Sequence, residues 1–184
     1  MVTPLVRGTG LLATRAYLEK QFGPEAIAQM LGQMPASLAE PIRGIPIAHE
    51  WYPEESVLGL MDVAAAIHGD LVYDQMGAFA ATYDLTFIHR FLLKFTSPMW
   101  LLDRGARLWS EYHNTGKWKI EKGPTPKSLR GELEEFGIVR ATFCRALTAW
   151  IARAGELTGA KDIVVAHTRC RSTASRACVW EGHW

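Results

Sequence analysis

The residues whose chemistry is easiest to recognise are three cysteines and one histidine near the end of the chain. They follow the pattern Cys144-x22-His167-x2-Cys170-x7-Cys178. Three thiolates and one imidazole satisfy the tetrahedral coordination of zinc, and a site closed by four protein ligands is structural rather than catalytic. The spacing is not that of a standard zinc finger. The pattern therefore predicts a structural zinc site that several elements must assemble.

A β-hairpin and a helix would have to position these ligands. Residues 161–170 and 176–184 are predicted to be strands joined by a short turn. If Cys170 faces Cys178 across this hairpin, both sulfurs lie on one face of the sheet. Cys144 lies at the edge of the apolar stripe of the preceding predicted helix, which is the nearest element that can cover that face.

The position of His167 is the difficult part of this prediction. His167 precedes Cys170 by three residues, so in a regular strand its side chain points to the opposite face. Ligation by His167 therefore requires a bulge or an early end of the strand. Two alternatives stay open. The three cysteines could be small core residues in a reducing compartment, or Cys170 and Cys178 could form a disulfide, which an intracellular setting disfavours.

The apolar pattern predicts an α+β fold in which N-terminal helices pack on an antiparallel sheet of about four strands. One domain is expected over residues 1–184. Predicted helices cover residues 9–22, 24–31, 53–68, 72–95, 99–113 and 138–157, and predicted strands cover 117–121, 127–134, 161–170 and 176–184.

Composition excludes several classes of function. With 48% hydrophobic and 21% charged residues the chain can bury a core, and a net charge of +1 gives no basic excess for nucleic acid. The sequence has no recognisable signal peptide and no apolar run of the roughly 20 residues that a membrane span requires. A cytoplasmic protein is expected, and the odd number of cysteines argues against a secreted disulfide framework.

A second candidate site lies on the longest predicted helix. Aromatic residues recur there every four positions, and a tryptophan of the first predicted hairpin could face them. The predicted ligand-binding residues are Phe79, Tyr83, Phe87, Phe91 and Trp118. An aromatic lining with few polar groups suits an apolar or aromatic ligand. The alternative is that this stripe is ordinary core packing.

The segment from His167 to Trp180 resembles the C-terminal signature of 4-vinyl-reductase-type domains. Cys144, Cys170 and Cys178 match cysteines of that group, and His167 stands where the group has a glutamate. The loop between the last two cysteines lacks the usual Gly-Asp. The resemblance implies a zinc site at these four residues. It also implies relation to the sensor domains of aromatic-responsive bacterial transcription activators.

The whole chain is also similar to a paralogous group of uncharacterised bacterial proteins. The matching passages are Ala16-Tyr-Leu-Glu-Lys-Gln-Phe-Gly-Pro24, Trp51-Tyr-Pro53, Ser97-Pro98, Leu108-Trp109 with Tyr112, and Leu157-Thr-Gly-Ala-Lys-Asp162. This resemblance implies the fold shared by 4-vinyl-reductase domains, small subunits of the TRAPP complex and haem–nitric-oxide-binding domains. It implies no biochemical activity.

Two functions follow as expectations. The first is a non-catalytic sensory module for an apolar or aromatic small molecule, which signals through a homodimer or a partner protein. The second is an assembly subunit without a small ligand, for which Trp51, Tyr52, Trp180 and Trp184 are candidate interface anchors. An enzyme is not expected, since the chain lacks a Gly-x-Ser-x-Gly elbow and a phosphate-binding glycine loop.

Haem is a third possibility that the sequence argues against. His89 on the longest predicted helix could project an axial ligand. The haem–nitric-oxide-binding family, however, carries a Tyr-x-Ser-x-Arg motif that holds the propionates, and this chain lacks it. Haem is therefore not expected, and a core role is predicted for His89.

Overall fold

The computed structural model describes the backbone of residues 2–89 and 98–184 and the side chains of residues 2–85 and 104–184. The N-terminal part contains β1 (Leu5–Arg7), α1 (Gly8–Phe22), α2 (Ala26–Gln33), α3 (Ala36–Ala39), a 3-10 turn (Glu40–Ile42), β2 (Trp51–Pro53), α4 (Glu54–His68) and α5 (Leu71–His89). The C-terminal part contains α6 (Pro98–Tyr112), β3 (Lys117–Lys122), β4 (Ser128–Glu134), α7 (Ala141–Leu157), β5 (Val164–Arg169), a 3-10 turn (Arg171–Thr173) and β6 (Cys178–His183).

The main sheet has four antiparallel strands in the order β3-β4-β6-β5. The last hairpin therefore joins the first through the β4–β6 pairing, in which Gly131 faces Trp180. This arrangement confirms the predicted α+β fold class. A second, two-stranded ribbon joins β1 to β2, with Val6 opposite Tyr52. The sequence did not predict the ribbon, since a three-residue strand is too short to display an alternating pattern.

Helix α7 lies between the sheet and α5. Its contact with α5 is close at Gly77, where a Cβ atom would fall 2.0 Å from the carbonyl oxygen of Ala146. On the sheet side, the indole Nε1–H of Trp180 donates a 2.8 Å hydrogen bond to Thr148 Oγ1. These two contacts fix the position of α7, and with it the position of Cys144.

Trp180 is completely buried. It belongs to an aromatic cluster between the sheet and the helices, together with Trp118, Trp109, Phe136 and Phe143. The prediction that Trp180 anchors an interface is therefore wrong. Its position on β6 turns it toward α7, and burial of so large a ring against other aromatic rings stabilises the fold.

Of the helices that the structure describes, none combines the length and the apolar character that crossing a bilayer would demand.

Candidate functional site

The structure brings the three thiols and the imidazole of the sequence pattern together. The ligand atoms of Cys144, His167, Cys170 and Cys178, which we call the Cys/His cluster, all lie within 4.8 Å of one another. The Sγ atom of Cys144 lies 3.5 Å from that of Cys178 and 3.9 Å from that of Cys170. Two sulfurs bound to one tetrahedral zinc at about 2.3 Å are separated by about 3.8 Å. The sulfur spacing therefore matches a shared zinc ion and is too long for a disulfide.

A β-bulge resolves the position of His167. The pairing of β5 with β6 shifts between His167 and Arg169, so that His167 faces Trp180 and Arg169 faces Val179. The extra residue reverses the alternation of side chains over this step. His167 and Cys170 consequently reach the same face, although they are three residues apart.

The electrostatics of the Cys/His cluster favour one thiolate at Cys178. A hydrogen bond from the Cys144 thiol lowers the pKa of Cys178, and the backbone N–H of Arg171, 3.3 Å from its Sγ atom, lowers it further. The same hydrogen bond and burial raise the pKa of Cys144. The Nε2 atom of His167 is buried and makes no hydrogen bond of good geometry in the described part of the chain, although the imidazole is close enough to Cys178 to lower the pKa of that thiol. A bound cation would satisfy this nitrogen and allow further thiols to ionise.

A cavity of about 250 Å³ lies in the middle of the molecule. Helices α1, α4, α5, α6 and α7 and strands β3 and β4 surround it, and its lining is mostly apolar. Small residues on three of the helices form part of the lining: Gly77, Ala80, Gly105, Ala146, Ala154 and Gly155.

Two carboxyl groups, one on a buried residue and one on a half-buried residue, interrupt the apolar lining. Glu54 is 3% exposed, and its Oε2 atom lies 3.2 Å from Nδ1 of His113. The ring of His113 stacks on Trp109 with 4.1 Å between centroids. On the α5 side, the Nε1–H of Trp150 donates to Oδ2 of Asp84 at 3.3 Å, while Oδ1 is buried with no partner among the described residues.

The surroundings of Asp84 favour its neutral form. Burial raises the pKa of this carboxyl to about 7, although the hydrogen bond from Trp150 and the charge of His113 oppose the shift. Tyr112, which also lines the cavity, has a raised pKa because it is buried and lies near Asp84 and Glu111. A carboxyl with one unsatisfied oxygen in an apolar cavity marks a place where a ligand could bind.

The predicted ligand-binding residues separate into three groups. Trp118 lines the cavity. Phe79 and Tyr83 lie on another face of α5, where Phe79 packs edge-on against Tyr17 of α1 and Tyr83 stacks on Phe79. The cavity face of α5 instead carries small residues and Asp84, which the aromatic pattern did not indicate. The side chains of Phe87, Phe91 and His89 lie outside the described residues, so a binding role for Phe87 and Phe91 and a core role for His89 stay predictions.

A continuous series of ring contacts connects the Cys/His cluster with the cavity. His167 stacks on Trp180 at 4.7 Å, and Trp180 contacts Trp118 at 5.3 Å. Trp118 then stacks on Trp109 at 5.7 Å, and both of these rings line the cavity. Packed aromatic side chains therefore join the cluster to the cavity.

Comparison with known proteins identifies the fold. No protein-family model matches the chain, and no curated protein matches it. An H-NOX protein from S. oneidensis in the Fe(II)NO ligation state has a TM-score of 0.75 at 13% identity, over 96% of this chain and 98% of that chain. The unliganded Fe(II) H-NOX protein from K. algicida has a TM-score of 0.69 at 12% identity, over 96% and 95% of the two chains. The chain therefore has the fold of H-NOX proteins, as the resemblance implied.

The prediction against haem is contradicted by this comparison. A third similar structure, with a TM-score of 0.70 at 9% identity over 97% of this chain and 99% of that chain, concerns heme redox potential modulated through porphyrin distortion. The prediction relied on a missing motif and on His89. A fold that persists at such low identity need not keep a short motif, so its absence was weak evidence. Among the described residues, His113 is the imidazole that lines the cavity.

Proposed function

We propose that this chain is a non-catalytic sensory module that holds a small, mainly apolar molecule in its central cavity. The observation that supports this function is the cavity itself, a space of about 250 Å³ lined mostly by apolar side chains. An engineered apolar cavity of about 150 Å³ binds benzene, and pockets for drug-sized ligands begin at about 300 Å³. The volume therefore suits a ligand with one substituted ring.

The module also contains, in this proposal, a structural zinc ion at the Cys/His cluster. The sulfur spacing, the bulge at His167 and its buried Nε2 atom all support four protein ligands. A closed set of four ligands leaves no open position for chemistry, so the ion would fix α7 against the last hairpin. The resemblance to 4-vinyl-reductase-type sensors agrees with this combination of a zinc site and a ligand cavity.

Signal output would pass through a second copy of the chain or through a partner protein. A homodimer remains our expectation, as does a cytoplasmic location.

Haem sensing is the second candidate function, and the pair formed by His113 and Glu54 favours it. An imidazole that binds a metal commonly contacts a carboxylate through its other nitrogen. Here Nδ1 contacts Glu54, so Nε2 of His113 would be the atom that holds the iron. Haem is larger than the 250 Å³ of this cavity, so this candidate requires the surrounding helices to move apart, and the group would then supply an iron centre for a diatomic gas. Absorption spectra after addition of hemin test this candidate: His113→Ala should abolish a Soret shift that the exposed control His49→Ala retains. Equal spectra for the two variants would exclude His113 as the ligand.

Native mass spectrometry of protein purified without chelator tests the main proposal. One zinc ion per chain is expected, together with binding of propylbenzene as an apolar probe. Ala80→Leu places a larger side chain in the cavity and should abolish probe binding, whereas Ala66→Leu changes an exposed position of α4 and should not. Two outcomes would contradict the cavity as the ligand site. In one, both variants bind the probe equally well; in the other, neither the variants nor the unaltered chain bind it.

A further inference from the structure

We propose that the ligand is a small arylalkylamine whose ammonium group binds Asp84. This inference rests on the proposed function and names the chemical class of molecule that the cavity selects. It begins from Asp84, which lines the cavity and whose buried Oδ1 atom has no partner among the described residues. A buried acceptor without a donor costs about 1–3 kcal/mol. A ligand that brings a donor to this atom removes that cost.

The charges of the cavity favour a cationic donor over a neutral one. The lining contains two carboxylates, Asp84 and Glu54, and the described residues that line it include neither lysine nor arginine. Glu54 has a partner in His113 at 3.2 Å. Asp84 accepts a hydrogen bond from the neutral indole of Trp150, and the charge of His113 acts on it without a hydrogen bond among the described contacts. An ammonium group beside Asp84 would favour the ionised form of this carboxyl and complete an ion pair with it.

The aromatic walls provide a second, independent reason for a cation. Four tryptophans and one tyrosine line the cavity: Trp109, Trp118, Trp150, Trp184 and Tyr112. The face of an aromatic ring attracts a cation within about 6 Å, most strongly when the ring is tryptophan and the site is dry. The same walls pack well against an apolar ring. A molecule with one apolar ring and one ammonium group therefore matches both the aromatic walls and the Asp84 carboxyl.

A matched series of probes tests the head group without changing the size of the ligand. 2-Phenylethylamine, 2-phenylethanol and propylbenzene have the same ring and chain length and end in an ammonium, a hydroxyl and a methyl group. Calorimetric titration at pH 7.5 measures the dissociation constant of each probe. We expect 2-phenylethylamine to bind at least about tenfold more tightly than either of the other two, because one ion pair in a dry site has an effect of about that size.

The variant Asp84→Asn keeps the shape of the side chain and removes its charge. It should weaken binding of 2-phenylethylamine by about tenfold or more and change the affinity of propylbenzene by less than about twofold. Asp70→Asn is the control, since the Asp70 carboxyl is 82% exposed and should leave all three affinities unchanged. If Asp84→Asn does not fold, the order of the three probe affinities for the unaltered chain tests the inference by itself.

The outcomes separate the two proposals. Tighter binding of the amine with its loss in Asp84→Asn supports the inference. Binding of propylbenzene as tight as the amine overturns the amine site and leaves the apolar cavity intact. Tightest binding of 2-phenylethanol overturns it in favour of a neutral hydroxyl. Failure of all three probes overturns both the amine site and the proposed cavity function.

Discussion

The imidazole of His167 lies face to face with the indole of Trp180, with ring centroids 4.7 Å apart and planes inclined by 22°. This stack is the point at which the Cys/His cluster contacts the aromatic core. Trp180 is wholly buried and contacts Trp118, a wall of the cavity. The proposed metal site and the proposed ligand site therefore contact the same cluster of packed aromatic rings.

We expect metal at the cluster to strengthen ligand binding in the cavity. Zinc would hold His167 in place, His167 would fix Trp180, and Trp118 would keep its position at the cavity wall. Removal of zinc with a chelator should weaken propylbenzene binding by about fivefold, which is within the usual range of coupling between two sites. Calorimetry with and without chelator measures this effect. The same affinity under both conditions would mean that the cluster stabilises the fold without influencing the cavity.

We expect the cluster to contribute strongly to stability. In Cys178→Ser the metal would lose a ligand, and the melting temperature should fall by roughly 5–10 °C, the shift expected for about 2–3 kcal/mol in a chain of this length. Chelator should lower the melting temperature of the unaltered chain by a similar amount and leave Cys178→Ser almost unchanged. His49→Ala serves as the control for an exposed position. An unaltered chain that melts equally with and without chelator would contradict a structural metal.

Sequence patterns predict the cluster better than the cavity, and the reason is physical. Cysteines are rare, so three of them with a histidine near one hairpin indicate a shared site from their spacing alone. The need for a bulge at His167 also follows from strand geometry, and β5 contains one. A hydrogen-bond register depends on distant packing, so the sequence could not fix which residues of β5 and β6 face each other.

The cavity was harder to predict because open space leaves little trace in a sequence. The aromatic residues Phe79 and Tyr83 repeat at helical spacing and suggest a lining, yet they pack toward α1. The cavity lies on another face of the same helix, which carries the small residues Gly77 and Ala80. One signal in the sequence was Asp84, an acid on an otherwise apolar segment, since such a residue must have either a partner or a function.

The pH dependence of stability should report on Asp84. Its pKa is raised from 3.8 to about 7 in the folded chain, so the folded state holds this proton over a range in which the unfolded state releases it. The stabilisation is complete below about pH 4 and is lost as the pH rises toward 7, by up to about 4 kcal/mol. Urea denaturation at several pH values should give Asp84→Asn a smaller decrease between pH 4 and 7 than the unaltered chain. Parallel curves for the two proteins would mean that Asp84 is not neutral in the fold.

The close contact of α5 with α7 makes Gly77 the most sensitive glycine for the architecture of the cavity. A methyl group there would lie 2.0 Å from the carbonyl oxygen of Ala146, so Gly77→Ala must push the two helices apart. We expect a loss of about 2–4 kcal/mol in the free energy of unfolding, the upper range for a single overpacked site. Gly32→Ala is the matched control, because Gly32 lies in α2 with no atom within 4 Å of the added methyl group. Helix propensity alone should stabilise this control by about 0.5–1 kcal/mol. Chemical denaturation measures the change in the free energy of unfolding for both variants. A loss in Gly77→Ala together with a gain in Gly32→Ala would establish the close contact of α5 with α7. A gain in Gly77→Ala would show that the two helices lie farther apart.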